Sequence, residues 1–244
     1  MTDWNKYPTF SDRLLAFALK EGPVNPELVG LAQRHGTPPD AAAARHYYEV
    51  FERAASDGSA YAMCVCSRCC VVGWGRPQSH AEAFRWAKNA AATGFAPGHF
   101  DLGSCYEQGL GVQRDLDQAR YHYELAVEGG FGFAGYQLAM LYHSGGLGGR
   151  NTMKAIEWAK RAYELREPMA ANVIANWYEA GEGMPRSDQD AVLWYERAVA
   201  LGDMFASHRL SMAYAAGDLG LPKDQELSRK YLSICESQMP ELGA

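Results

Sequence analysis

The chain has 244 residues, of which 48% are hydrophobic, and it carries a formal net charge of −6 at pH 7. This composition excludes a disordered chain, because it supplies enough apolar side chains for a continuous core. The mildly acidic balance gives no electrostatic footprint for nucleic acid or for an anionic membrane. No apolar run approaches the ~20 residues that cross a bilayer. The N-terminus lacks a basic segment followed by an apolar stretch, so we expect a cytoplasmic protein, or a periplasmic one if a signal was removed.

A period of 36 residues organises most of the sequence. Glycine and tyrosine both recur at this interval, and Arg166 stands in the one slot of the glycine series where glycine is missing. A fixed period of this length predicts a stack of repeats in which each unit contacts mainly its neighbours. We interpret the break at Arg166 as a turn made differently from the others. The periodic residues are Gly22, Gly58, Gly94, Gly130 and Gly202, and Tyr106, Tyr142, Tyr178 and Tyr214.

The N-terminal region keeps this period only in part. Leu14, Ala18 and Gly22 match it, but the proline and histidine content of residues 7–40 does not. Residues 41–57 read as an unpaired second helix. Because the end units of a repeat stack are expected to be atypical, we predict capping helices, then five repeats, then a short tail. The boundaries are 1–58, 59–238 and 239–244.

A single unit in the first half of the chain shows how one period folds. Leu102, Cys105 and Tyr106 lie at i, i+3 and i+4, on one face of a helix. Gly109 predicts the end of that helix, and Asp115 is a candidate N-cap for a second one. The unit is therefore predicted to be a helical hairpin with glycine-rich turns. Small residues that allow close helix approach are Gly103, Ala139 and Ala175, and residues predicted to fill the gaps between layers are Trp86, Trp158 and Trp194.

Four of the units resemble the Sel-1-like repeat, a relative of the 34-residue tetratricopeptide repeat. One reads LGSCYEQGLGVQRDLDQARYHYELAVEGG, with the leucine, tyrosine, glycine turn, aspartate, alanines and closing glycines of the family pattern. The matching segments are 102–130, 138–166, 174–202 and 210–238. The unit at 59–94 departs, because Cys70 replaces the tyrosine. The resemblance implies an all-α fold, a right-handed α/α superhelix (solenoid) of 36-residue helical hairpins.

Four cysteines, Cys64, Cys66, Cys69 and Cys70, lie within seven residues, with His80 downstream. Thiolates and imidazoles are zinc ligands, and a disulfide is a second alternative. The repeat favours a third interpretation. Three of the four cysteines occupy positions that hold Leu, Ile, Trp or Tyr in other units, where a free cysteine acts as a small apolar residue.

Two further cysteine positions follow from the same comparison of units. Cys235 falls in the slot of Ala91, Val127 and Val199, which indicates a buried thiol. Cys64 falls in a variable column that should face outward, where a thiol could be reactive.

The sequence carries no catalytic or cofactor motif. It has no Gly-x-Ser-x-Gly elbow, no phosphate loop and no dinucleotide fingerprint. None of its seven histidines forms a His-x-x-x-His or similar ligand pair, and His122 falls in the tryptophan column, which predicts a packing role. We therefore expect no catalytic residue, no cofactor and no metal ligand. An enzyme of the cysteine-rich repeat type is a hypothesis that we rank below the two binding roles described next.

A protein partner is the leading functional hypothesis. Members of the resembled family are mostly scaffolds, adaptors and regulators, and in bacteria some are immunity proteins that neutralise a toxin. Repeat stacks bind on extended concave faces, and the resemblance places that face on the first helix of each unit. Its columns are rich in Phe, Tyr, Met and His, with Asn and acidic residues, and aromatic and Met side chains are enriched at interfaces. The predicted partner-binding residues are Tyr61, Cys64, Arg68, Phe100, Ser104, Glu107, Phe133, Tyr136, Met140, His143, Asn172, Asn176, Glu179, Phe205, His208 and Met212.

We hypothesise that the chain is an adaptor or scaffold that binds a protein in this groove. The alternative is a bacterial immunity or inhibitor protein that neutralises a secreted toxin, such as an interbacterial effector. Neither hypothesis requires nucleic acid or insertion into a membrane.

Overall fold

The computed structural model of the chain describes residues 41–238 together with Leu15, Ala18, Leu19 and Val24. The rest of the predicted N-terminal unit and the tail at 239–244 lie outside the described residues. Within the described part there are eleven helices and no strands, and no helix is long and apolar enough to span a membrane. The helices are α1 (Ala41–Ser56), α2 (Ala60–Val72), α3 (His80–Ala92), α4 (Ala96–Gln108), α5 (Leu116–Glu128), α6 (Gly132–Ser144), α7 (Thr152–Glu164), α8 (Pro168–Ala180), α9 (Asp188–Ala200), α10 (Met204–Ala216) and α11 (Gln225–Gln238).

The chain divides into two compact units, Met1–Phe131 and Gly132–Ala244. In the first unit α2 pairs with α3 and α4 with α5, and α1, the helix predicted at 41–57, packs against α2. In the second unit the pairs are α6 with α7, α8 with α9 and α10 with α11. Each pair is the helical hairpin that the 36-residue period predicts.

The second helix of each hairpin begins at a side chain that caps it. Asp115 accepts hydrogen bonds from the backbone N–H groups of Asp117 and Gln118, both at 3.0 Å, so its prediction as an N-cap is confirmed. Such a cap gives a partner to N–H groups that lack one inside the helix. The equivalent caps of α3, α7 and α9 are Ser79, Asn151 and Ser187.

Glycine at the turn inside each hairpin serves two purposes. Gly109 ends α4 in the left-handed conformation, with φ of 72°, and its N–H donates to the carbonyl of Cys105. Gly111, with φ of 71°, also lies against the start of α3. A β-carbon at Gly111 would lie 2.2 Å from the carbonyl oxygen of His80. The turn therefore contacts the preceding hairpin through backbone, and only glycine fits there.

Small side chains allow the helices of a hairpin to approach closely. A β-carbon at Gly103 of α4 would lie 2.8 Å from the ring of Tyr123 in α5. Ala139 and Ala175 are fully buried. In the second unit the ring of Trp194 meets the ring of Tyr163 edge-on, with 5.1 Å between centroids, and so fills the space between two hairpins as predicted.

The turn at Arg166 is made in the same way as the glycine turns, so the prediction of a different turn is wrong. Arg166 adopts a left-handed φ of 64°. Its N–H donates to the carbonyl of Tyr163, and the N–H of Glu167 donates to that of Ala162. Gly202 and the residue after it make the same two hydrogen bonds one period later. The hydrogen bonds of the turn are therefore kept, and a residue with a β-carbon adopts the strained left-handed backbone conformation.

The last hairpin holds one extra residue in its turn. Asp224 caps α11, and its N–H donates to the carbonyl of Tyr214 ten residues earlier, whereas the equivalent bonds in the preceding described hairpins span nine. The helix that follows is displaced by one position relative to the other second helices. Cys235 consequently takes the place of the buried Ala198 and not, as the sequence comparison had it, that of Val199. The predicted burial of Cys235 is confirmed, although Cys235 matches a different position of the repeat from the one predicted.

The strained turn gives a first test. A side chain in the left-handed region costs about 1–2 kcal/mol, and the greater freedom of glycine in the unfolded chain offsets about 0.4–1 kcal/mol of any gain. We expect Arg166→Gly to raise the free energy of unfolding in urea by roughly 1 kcal/mol. The matched control is Gly202→Arg, where an added β-carbon meets no atom within 4 Å. That substitution should lower stability through backbone conformation alone. Destabilisation by Arg166→Gly would contradict this account.

Candidate interaction surface

In the first unit, two of the predicted partner-binding aromatics lie in the core. Phe100 of α4 is buried, and its ring centroid is 5.3 Å from that of Tyr123 and 5.5 Å from that of Phe131. Tyr61 of α2 is buried 6.0 Å from the ring of Phe51. These separations are those of packed aromatic pairs. The expectation that these two side chains line an open groove is therefore corrected.

Cys64 is also buried, and the expectation that it faces outward is wrong. Its thiol lies near the carboxylate of Asp101, which is itself buried. Arg68 donates to the same carboxylate at 2.8 Å. Burial, followed by the charge of Asp101, raises the pKa of the Cys64 thiol well above its usual value. Cys64 and the half-buried Arg68 therefore link α2 to α4 in the interior.

The other cysteines are buried and free of disulfides. Burial raises the pKa of the Cys69 and Cys105 thiols to about 12. Cys70 lies 3.8 Å from the hydroxyl of Tyr48, in the position where other units carry tyrosine. Among the residues that the structure describes, no three His, Cys, Asp or Glu side chains converge as metal ligands. These thiols act as small apolar side chains, as the repeat comparison favoured.

The remaining predicted residues of α4 are partly accessible. Glu107 accepts a hydrogen bond from the hydroxyl of Tyr123 at 2.6 Å, and burial raises the pKa of its carboxyl group. Ser104 accepts one from the Gln108 amide at 2.8 Å. The Glu107–Tyr123 bond recurs 72 residues later, where the Tyr195 hydroxyl lies 2.7 Å from the Glu179 carboxylate. The sequence holds this Glu–Tyr pair at the same spacing twice, and that recurrence is a signal from which the contact could be predicted.

In the second unit, α6 presents predicted residues that are half-buried. Phe133 and Tyr136 pack ring to ring with centroids 5.7 Å apart, and Met140 follows them one turn later. His143 lies on the ring of Trp177 of α8, at 5.0 Å, with its Nε2 3.1 Å from a carboxylate oxygen of Glu182. These side chains help to join α6 to α8 and leave only part of their surface to solvent.

Polar side chains join α8 to α10 in a continuous row. Asn172 donates to the carboxylate of Asp203 at 3.1 Å, and Asn176 donates to Asn172 at 3.4 Å. Further along, Arg209 of α10 donates to Glu179 at 2.6 Å. Arg209 also bonds Asp218 at 2.6 Å. Neither Arg209 nor Asp218 was predicted from the sequence, because both lie outside the columns assigned to the groove.

Beside this row, α10 exposes an apolar stripe. Phe205, His208 and Met212 lie at i, i+3 and i+7 on one side of the helix, and all three are exposed. Phe205 and Met212 are 51% and 55% exposed, which places them among the most exposed large apolar residues described. We call the solvent-facing sides of α8 and α10 the first-helix face of the second unit. Its residues are Asn172, Asn176, Glu179, Phe205, His208 and Met212.

Six stretches of the chain match the family model described as Sel1 repeat. They are residues 28–50, 58–95, 96–131, 133–166, 168–203 and 205–234. The chain belongs to the Sel1 repeat family. The resemblance inferred from the sequence is thereby confirmed, and so is the all-α repeat fold that it implied. Sel1 repeat proteins bind protein partners, and the family is generally non-enzymatic.

Known relatives support the fold over nearly the whole chain. The Sel1 repeat protein from Oxalobacter formigenes superimposes with a TM-score of 0.70 at 20% identity, covering 97% of this chain and 90% of that one. Immunity protein PA5088 from Pseudomonas aeruginosa gives 0.65 at 16% identity, covering 91% and 85%. Both show the fold alone. The chitin synthase regulator SKT5 of Malassezia restricta is 35% identical over 97 residues, which is 40% of this chain but only 7% of that protein's length.

One Sel1 unit departs from the others at two positions that meet in space. The Nδ1 atoms of His99 in α4 and His122 in α5 are 3.2 Å apart, and the ring planes differ by 20°. The ring of His122 also lies nearly parallel to that of Tyr106, at 5.7 Å. His122 lies in a packing column, as predicted, but its contact with His99 leaves no signal in the sequence, because 23 residues separate the two histidines.

Burial of the thiols gives a second test. A thiol reacts with a disulfide reagent as the exposed thiolate, and burial and raised pKa values disfavour that form here. We expect none of the six cysteines to react with a chromogenic disulfide reagent at pH 8 in the native protein. The same sample in guanidinium should release chromophore from all six. Rapid reaction of one equivalent in the native state, mapped to Cys64, would show that its position has been misjudged.

Proposed function

We propose that this Sel1 repeat chain is a non-enzymatic interaction module that binds a protein partner on the first-helix face of its second unit. The observation that carries the proposal is the exposure of Phe205 and Met212 on one side of α10. Aromatic and Met side chains are enriched at protein interfaces, where they supply most of the buried apolar area. An adjacent pair of this kind is suited to anchor a partner.

The polar row beside these anchors is already held in place. The hydroxyl of the buried Tyr195 lies 2.7 Å from both Asn176 and Glu179, and Arg209 fixes Glu179 from the other side. Side chains ordered before binding lose less conformational entropy when a partner arrives. The row therefore supports binding that needs little rearrangement.

Charge at one end of the face favours a particular kind of contact. Arg209 is shared by the carboxylates of Glu179 and Asp218, so this group of three carries a net negative charge. Electrostatic complementarity steers partners and suppresses mismatched ones. We propose that the partner presents a basic group near Asp218 and apolar side chains near Phe205 and Met212.

The test replaces both anchors. In Phe205→Ala/Met212→Ala, affinity for partners captured from the source organism and identified by mass spectrometry should fall at least about tenfold, because anchor truncations at interfaces cost more than 1 kcal/mol each. The matched control is Met153→Ala/Leu193→Ala. It removes apolar residues of α7 and α9 that are 64% and 43% exposed, on second helices. Equal loss in both variants, or none in either, would reject the proposed face.

A second candidate is an immunity protein that neutralises a toxin by binding it. The observation that favours it is the likeness to PA5088, which extends over 91% of this chain and 85% of the immunity protein. The two candidates differ in the partner's nature and not in the binding face. We therefore propose the immunity role only as a special case of the interaction module.

Growth rescue distinguishes the two. If a gene beside this one encodes a secreted toxin, co-expression of the wild-type chain should restore growth of cells that make the toxin, and Phe205→Ala/Met212→Ala should not. Capture of partners without any growth rescue would support the adaptor role and reject the immunity role.

A further inference from the structure

We propose that His99 and His122 form a transition-metal site in the α4–α5 hairpin, with Zn²⁺ as its natural class of ion. Their Nδ1 atoms face each other across the hairpin at 3.2 Å. Two imidazole nitrogens on a tetrahedral zinc ion, with bonds of about 2.0–2.1 Å, lie about 3.4 Å apart. The helices therefore already hold the two nitrogens at nearly the separation that one ion requires.

Packing of the repeat units does not require histidine at either position. The position of His122 holds Trp86, Trp158 and Trp194 in other units, and His99 stands where other units carry Met63, Gly135, Ala171 or Ser207. Packing alone is satisfied by those residues. Both departures occur in the same hairpin and bring two ligand nitrogens to one point. Two histidines that both differ from the repeat pattern and whose ring nitrogens meet point to a ligand more strongly than either histidine would alone.

The rings are held in a fixed orientation. His122 lies parallel to Tyr106 and is met edge-on by Tyr121 at 5.2 Å, so its plane is fixed. A neutral imidazole offers a lone pair to a metal, and the two Nδ1 atoms lie next to each other across the hairpin.

The donor set defines the class of ion. Two imidazoles suit Zn²⁺, Cu²⁺ and Ni²⁺ rather than Mg²⁺ or Ca²⁺, which prefer oxygen. The described residues provide no third protein ligand of the usual types at this point. Both rings are only half-buried, so water or a group from a partner can complete the coordination. Without an ion, the same geometry is an N–H···N hydrogen bond between the two neutral rings.

The test titrates zinc sulfate into the full chain at pH 7.5 under reducing conditions by calorimetry. We expect one equivalent to bind, and either His99→Ala or His122→Trp to lower the association constant by more than about tenfold, since even outer-shell changes cost that much at metal sites. His122→Trp restores the residue found in the other units, and its fold is verified by circular dichroism. His46→Ala, which removes an exposed histidine of α1, is the matched control and should bind as wild type does.

Two results would overturn the proposal. One is the absence of zinc binding by the wild-type chain, which would leave only the hydrogen bond between the rings. The other is zinc binding of unchanged strength in both histidine variants, which would place the ion elsewhere in the chain. Nitrogen chemical shifts provide an independent readout, because zinc on this site must move the Nδ1 resonances of His99 and His122 and not that of His46.

Discussion

Close approach of the two helices in each hairpin is the constraint on which the rest of the structure depends. Helices pack at a distance set by the side chains between them, and here those side chains end at the β-carbon or lack it. Ala83, Ala119, Ala155 and Ala191 occupy one column, and all are fully buried. At Gly103 even a β-carbon would overlap the ring of Tyr123. A large ring such as that of Tyr123 therefore fits between the two helices where the facing residue is as small as Gly103. Other large residues pack between hairpins, as the ring of Trp194 does.

This constraint also decides which first-helix residues can meet a partner. A column position is buried when nearby residues supply large side chains to cover it, as Tyr123 of the paired helix α5 and Phe131 just after that helix cover Phe100. The described part of α10 packs against α9 and α11. Phe205 and Met212 are 51% and 55% exposed, so no large described side chain covers them in this way. Exposure along a column thus depends on the side chains that surrounding helices supply.

The period made most of the backbone predictable, but it could not give the exposure of each column. The N-cap at Asp115 and the left-handed conformation of Gly109 depend only on nearby residues of the chain, so the sequence was enough to predict the helix boundaries at both positions. The burial of Cys64 and Phe100 depends on the sizes of residues in neighbouring helices, which a column comparison treats as equal. The His99–His122 contact depends on the pairing of two helices and carries no local spacing signal. The shift at Cys235 results from one added turn residue, which the glycine series does not reveal.

Residues that break the 36-residue pattern differ in their effect on the structure. Arg166 replaces a glycine, yet the turn keeps its hydrogen bonds, so the departure changes stability and leaves the architecture unchanged. Cys70 replaces a tyrosine and remains in the core, in contact with Tyr48. His99 and His122 differ from both, because their combined effect is a new arrangement of nitrogen atoms that no other described hairpin contains. In a repeat protein, the residues found at the same position in neighbouring units show what packing requires. Two residues that differ from those and also meet in space, as His99 and His122 do, are not explained by packing, so their chemistry calls for a functional explanation.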